Sequence, residues 1–161
     1  MRFVLKRLPG PVVLAFVVAA TGAAPAAPAT TPCRQRLEQG VLPVWARGGF
    51  SESRPKAPHV VGRSKRIVAI VFGYPLLSPP APRRANKILW VARAPVGPHS
   101  DLRISARLMR GADASGRVVE RRVRGGPGPS IINLPAAGCW RLTLRWSGRR
   151  DTLDLVYARR R

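Results

Sequence analysis

From Cys139 to Trp146 apolar and polar residues alternate without a break. In an extended chain Trp140, Leu142, Leu144 and Trp146 fall on one side, and Cys139, Arg141, Thr143 and Arg145 on the other. A period of two cannot form the apolar stripe of a helix, so the segment predicts a strand with one buried and one wet face. Residues 147–151 then turn the chain, and Leu153, Leu155 and Tyr157 supply a matching apolar face. The pair reads as a β-hairpin.

The rest of the body agrees with that class. Residues 66–74 are apolar and β-branched almost throughout, which predicts a central strand covered on both faces. The four prolines between Pro75 and Pro82 cannot continue it. Residues 87–93 read as a second strand, and residues 102–108 alternate. Residues 111–116 form a turn, 117–123 return from it, 125–129 break the chain again, and 131–134 make a short edge strand. With 17 prolines, 15 glycines and no amphipathic helical pattern, the expected fold is all-β: five to seven strands in an antiparallel sandwich over residues 65–158. Residues 30–64 are expected to be irregular, with one helical turn near Arg34–Gln39, and with Trp45 and Phe50 packing back onto the domain. Residues 159–161 are a basic tail.

The run Leu134-Pro135-Ala136-Ala137-Gly138-Cys139-Trp140-Arg141-Leu142 resembles the corner before the sixth strand of immunoglobulin-like domains, with Trp140 where the family places tyrosine. Together with Pro129-Ser130, Asp151 and Leu153, it resembles uncharacterised secreted proteins of Gram-positive bacteria that carry an immunoglobulin-like domain. The resemblance covers most of residues 40–158. It implies an immunoglobulin-like β-sandwich and a location outside the cytoplasm, and it carries no biochemical activity.

The first 29 residues read as a signal peptide. Arg2, Lys6 and Arg7 precede the apolar run 12–20, and small residues follow, with cleavage expected after Gly22, Ala23, Ala26 or Ala29. The run is far shorter than the roughly 20 residues that span a bilayer. Cys33 lies where a lipid anchor could sit, but Thr30-Thr31-Pro32 lacks the aliphatic and small residues of such a site. Two thiols in an exported chain instead predict a disulfide between Cys33 and Cys139, closing a loop of about 105 residues worth roughly 4–5 kcal/mol of chain entropy. The alternative is two free thiols.

The charge is extreme: 29 Lys plus Arg against 7 Asp plus Glu, a net +22. Removing residues 1–29 leaves 26 of the 29 basic side chains against the same 7 acids, or +19. Only Lys6, Lys56, Lys65 and Lys87 are lysines, and a GC-rich coding bias suffices to explain many of the arginines. Outside the cytoplasm such a surface attracts anionic wall polymer or membrane headgroups weakly. A basic nucleic-acid-binding protein is one alternative function. The arginines, however, are spread over every segment with no recognition helix, so no specific nucleic-acid partner is expected.

A small secreted hydrolase using a loop histidine is the other alternative. His59 and His99 each follow a proline, and Ser100 and Asp101 follow His99, yet nothing resembles a nucleophile elbow. Residues 125–130 lack the Lys-Ser/Thr ending of a phosphate loop, and two histidines and two cysteines without close spacing make no metal set. No catalytic, cofactor-binding or metal-binding residue is assigned, and no cofactor is expected. The sequence alone supports a non-catalytic binding or structural module at the cell envelope.

Overall fold

In the computed structural model, which describes residues 33, 35–98, 100–110 and 113–160, the alternating segment becomes the strand at the centre of one sheet. Ten strands form two five-stranded sheets. They are β1 (Glu38–Val41), β2 (Lys56–Val61), β3 (Ile67–Val71), β4 (Leu76–Ser78), β5 (Lys87–Ala92), β6 (Leu102–Arg110), β7 (Asp113–Val123), β8 (Pro129–Ile131), β9 (Gly138–Trp146) and β10 (Arg149–Arg159). The first sheet has the order β1-β2-β3-β5-β8, and the second β4-β10-β9-β6-β7. Every pairing is antiparallel except that of β4 with β10. The expected signal peptide, residues 1–29, lies outside the described residues.

The hairpin follows the alternation residue by residue. Trp140, Leu142, Leu144 and Trp146 are buried, and Leu142 pairs with Leu153 and Trp140 with Leu155. Ser147 and Gly148 both take positive φ, 42° and 68°, the two-residue turn whose twist matches that of the flanking strands. These side chains join Ile67, Ala69, Val71, Ile88 and Trp90 of the first sheet in one buried cluster.

Strand β3 explains why its sequence does not alternate. Ile67, Ala69 and Val71 face the shared core, while Val68 and Ile70 join a second cluster on the far side with Leu42 and Ala46. Trp45 and Phe50 pack against that second cluster, so the N-terminal segment covers the outer face of the first sheet. The segment is less irregular than expected: β1 replaces the helical turn proposed near Arg34–Gln39, and β2 pairs with β3. Pro58 lies within β2, and because β2 pairs with β3 only from His59 to Val61, the proline stands outside that ladder. A single 3-10 turn, Val44–Ala46, supplies Ala46.

The proline-rich stretch holds a strand as well. β4 runs beside β10 on one side, and on the other the buried Asn86 side chain stands in for a neighbouring strand. It accepts from the Leu77 amide and donates to the Leu77 carbonyl, both at 2.8 Å. The expected tail is partly strand too, since β10 reaches Arg159 and the Arg160 amide donates to the Ser78 carbonyl. Residues 113–116, expected in a turn, belong to β7. A register shift between Ala106 and Leu108 accommodates the extra length.

Cys33 and Cys139 form a disulfide, with Cα atoms 5.4 Å apart, which ties the N-terminal segment to the outward side of β9. Two buried carboxylates reinforce the same region. Asp154 sits on the outward side of β10, where it receives Arg141 and Arg63, while its amide donates to the Gln35 side chain. Asp151 lies on the inward side of β10 and reaches across to the other sheet. Its Oδ1 accepts from the Ser64 and Thr152 amides and its Oδ2 from the Arg66 amide, at 2.8–2.9 Å.

Candidate anion-binding face

The outward residues of the second sheet are arginines placed in register. Across four neighbouring strands Arg122 pairs with Arg103, Arg103 with Arg145, and Arg145 with Arg150. Directly opposed residues of adjacent strands point to the same face, so these four cations form one row. The next row reads Glu120, Ser105, Thr143 and Thr152, and the one beyond it Arg107, Arg141 and Asp154. Arg103 and Arg145 arrive by one local rule, each being the polar member of an alternating strand whose apolar members are in the core, whereas Arg122 and Arg150 follow other arginines and take their place in the row from the register.

Few carboxylates are left to neutralise the row. Asp151 is spent on backbone amides, and Asp154 is buried between Arg63 and Arg141, at 3.1 and 3.0 Å. Glu120 accepts from the Ser105 hydroxyl at 3.0 Å, and Glu38 stands 3.6 Å from His59. Among the described residues Asp101 alone is ion-paired with the row, meeting Arg122 and accepting from the Gly125 amide. That amide, aided by the Arg122 and Arg103 guanidiniums and opposed by some desolvation, holds the Asp101 carboxyl below its ordinary range. Its contribution is therefore present above the ordinary carboxylate pKa and is lost as pH falls through the lowered value. Among the described residues, Arg103, Arg145 and Arg150 have no carboxylate within 4.0 Å.

Opposed like charges on a sheet are destabilising, by roughly 0.2–1 kcal/mol for a pair. Arg145→Gln removes the middle cation of the row and is expected to raise the melting temperature at low salt. The gain should shrink as salt screens the row. A variant that melts below the wild type would mean that Arg145 makes a stabilising contact.

The residues singled out for other chemistry are placed differently. His59 is inside β2 rather than in a loop. It is buried, and its Nδ1 lies 2.9 Å from the Ala57 carbonyl. His99 lies outside the described residues. The Ser100 hydroxyl accepts from the Ser147 amide, and Asp101 is committed to Arg122 and Gly125. The glycine-rich stretch 125–128 is a connection between β7 and β8, anchored by a 3.1 Å bond from the Trp90 amide to the Gly128 carbonyl.

At the corner that precedes β9, the Trp140 indole donates to the Ala136 carbonyl at 2.9 Å. The cross-strand row itself was not legible from the sequence. Arg145 and Arg141 follow from the alternation of β9, but the alignment with Arg103, Arg122 and Arg150 requires the register. Comparison with known proteins finds no matching family model, no matching curated protein and no matching solved structure.

Proposed function

We propose that this chain is an exported, non-catalytic binding module with an immunoglobulin-like domain. On this reading its arginine face holds it to phosphate-bearing polymer or anionic membrane at the cell envelope. The observation that carries the reading is the row Arg122–Arg103–Arg145–Arg150, four aligned cations met, among the described residues, by one carboxylate. Cations kept opposite one another at a cost in stability are arranged for an external anion. Coding bias accounts for the number of arginines but not for their alignment.

The immunoglobulin-like reading is supported by strand order. If β3, β5 and β8 are taken as strands A, B and E, then β10-β9-β6-β7 corresponds to G-F-C-C′, the second sheet of variable-type domains. β1 and β2 would be additions at the A edge. The Trp140–Ala136 bond also supports it, since in the family a tyrosine hydroxyl bonds back to the backbone a few residues upstream. The disulfide is in keeping with an oxidising compartment.

Washing of isolated cell envelopes tests the reading. Screening length falls from about 10 Å at 0.1 M salt to about 3 Å at 1 M, so concentrated salt should release the protein. Its N-terminus should then begin between Ala23 and Cys33. Retention at 1 M salt would replace electrostatic attachment with an anchor or an apolar interface. A chain that keeps residues 1–22 in the cytoplasm would favour nucleic acid as the partner.

A further inference from the structure

Between the entry to β4 and the segment that leads into β1, a short stretch of the β10 edge is covered by neither. β4 pairs with β10 only from Tyr157 to Arg159, and Gln35 holds the edge at the Asp154 amide. Leu155 and Val156 lie between those points and floor a cleft of about 410 Å³. Leu37 lines it from the N-terminal segment and Tyr74 and Pro75 from the entry to β4. The disulfide fixes the first of these walls. Cys33, also in the lining, is bonded to Cys139, which opposes Val156 across the β9–β10 ladder.

The apolar surface of the cleft is open to a ligand. The Leu76, Leu155 and Val60 side chains belong to the core and only back it. Tyr74 and Val156, by contrast, are 45% and 57% exposed, large apolar groups left to water on either side of a concavity. Small-molecule sites are such concavities, mostly apolar, with volumes of about 300–1,000 Å³. This one is at the small end of that range, a size for one short chain.

The polar groups of the lining decide what enters. Gln35 is engaged at both ends: its Nε2 donates to the Val61 carbonyl at 2.7 Å, and its Oε1 accepts from the Asp154 amide at 3.0 Å. The buried Asp154 carboxylate is held by Arg63 and Arg141. A polar group inserted among them would lose its water and gain no partner, so the inserted part is apolar. The Arg36 guanidinium and the Tyr74 hydroxyl are the polar side-chain groups of the lining without a partner among the described residues, and both residues are exposed. The charge left to be matched is therefore positive. A carboxylate presents two oxygens to the fork of a guanidinium.

We infer that this cleft binds a free, single-chain aliphatic carboxylate, with its chain over Val156 between Leu37 and Tyr74 and its carboxylate paired with Arg36 at the rim. None of the four arginines of the row lines this cleft, so the inference stands apart from the anion-binding reading.

The test is a titration of the purified, disulfide-bonded protein with hexanoate, octanoate, decanoate and dodecanoate, below the concentrations at which they aggregate and at constant ionic strength. Methyl resonances report the site. Those of Leu37, Leu155 and Val156 should move saturably, while that of Ile131, on the other sheet, stays in place. Affinity should rise by up to about fourfold for each added methylene and level off once the cleft is filled. Decanoate should bind about tenfold more tightly than decanol, and Arg36→Gln should abolish that preference. Val156→Glu, at an exposed position, puts a carboxylate in the cleft and should weaken decanoate at least tenfold. The triple variant Arg103→Gln, Arg145→Gln, Arg150→Gln should leave decanoate affinity within about twofold, which separates this outcome from that of the arginine face. Methyls that ignore decanoate, an affinity independent of chain length, or a carboxylate preference that survives Arg36→Gln overturns the site. So do shifts at these methyls that appear with phosphatidylglycerol vesicles and not with decanoate, or that grow with protein concentration alone; the first would place a membrane in the cleft and the second another copy of the chain.

Discussion

Replacing Asp151 with alanine is expected to destabilise the protein by about 3 kcal/mol or more, a large share of the 5–15 kcal/mol that holds a typical domain. The carboxylate accepts from three backbone amides, those of Ser64, Arg66 and Thr152, and it is 2% exposed. Its removal leaves those donors without their acceptor, and each buried unpaired amide costs about 1–3 kcal/mol. Two of them belong to the connection between β2 and β3, so the loss also unstitches the first sheet from the last strand. Asp151→Asn keeps one oxygen acceptor and should fall between the alanine variant and the wild type in urea unfolding. Gly62→Ala attacks the same point from the other side, because a Cβ there would lie 2.4 Å from Asp151 Oδ2. An alanine variant that unfolds with the wild type would show that these bonds carry no net stability.

Leu142→Ala should cost roughly 2–5 kcal/mol. Leu142 is fully buried, pairs with Leu153 on one side and Ala106 on the other, and faces the cluster shared by both sheets. A cavity there cannot be filled by one neighbour without disturbing the next, since the interior is packed at crystal-like density. Thr143→Ala changes the next residue along the strand, on the face directed to solvent, and should shift the midpoint by well under a third as much. Equal effects at the two positions would contradict the assigned faces of β9.

The contrast between these two predictions marks what the sequence makes legible. Leu142 is readable because period-two alternation is a local property, and the buried faces of β9 and β10 follow from it. The doubly covered strand β3 is readable for a similar reason: an uninterrupted β-branched run has no wet face to offer. Asp151 is not. Beside Arg149 and Arg150 it looks like turn chemistry, and only the three-dimensional approach of the β2–β3 connection turns it into a buried acceptor.

β1 and β2 escape notice because Pro55 and Pro58 signal breaks locally, while the pairing of β1 with β2 and of β2 with β3 is set by register rather than by local pattern. β4 escapes because the partner on one of its sides is an asparagine side chain. The arginine row fails to announce itself for a related reason. Read along the chain, Arg103, Arg122, Arg145 and Arg150 are four members of a population of 25 arginines, spread over four strands. Cross-strand register, including the offset absorbed between Ala106 and Leu108, is what aligns them.

The central claim is that position, and not only the number of cations, determines attachment to anions. It is tested by comparing two triple variants that remove the same charge. In one, Arg103, Arg145 and Arg150 are changed to Gln; in the other Arg54, Lys56 and Arg83, all exposed and away from the row, are changed to Gln. Both should remain folded, because none of the six side chains is buried. Binding of each to a phosphate-bearing polymer, measured at low salt and again across a salt series, should fall at least tenfold further for the row variant and lose most of its salt dependence. Equal weakening of the two triples would mean that the protein is a diffuse polycation and that the alignment of the arginines does nothing.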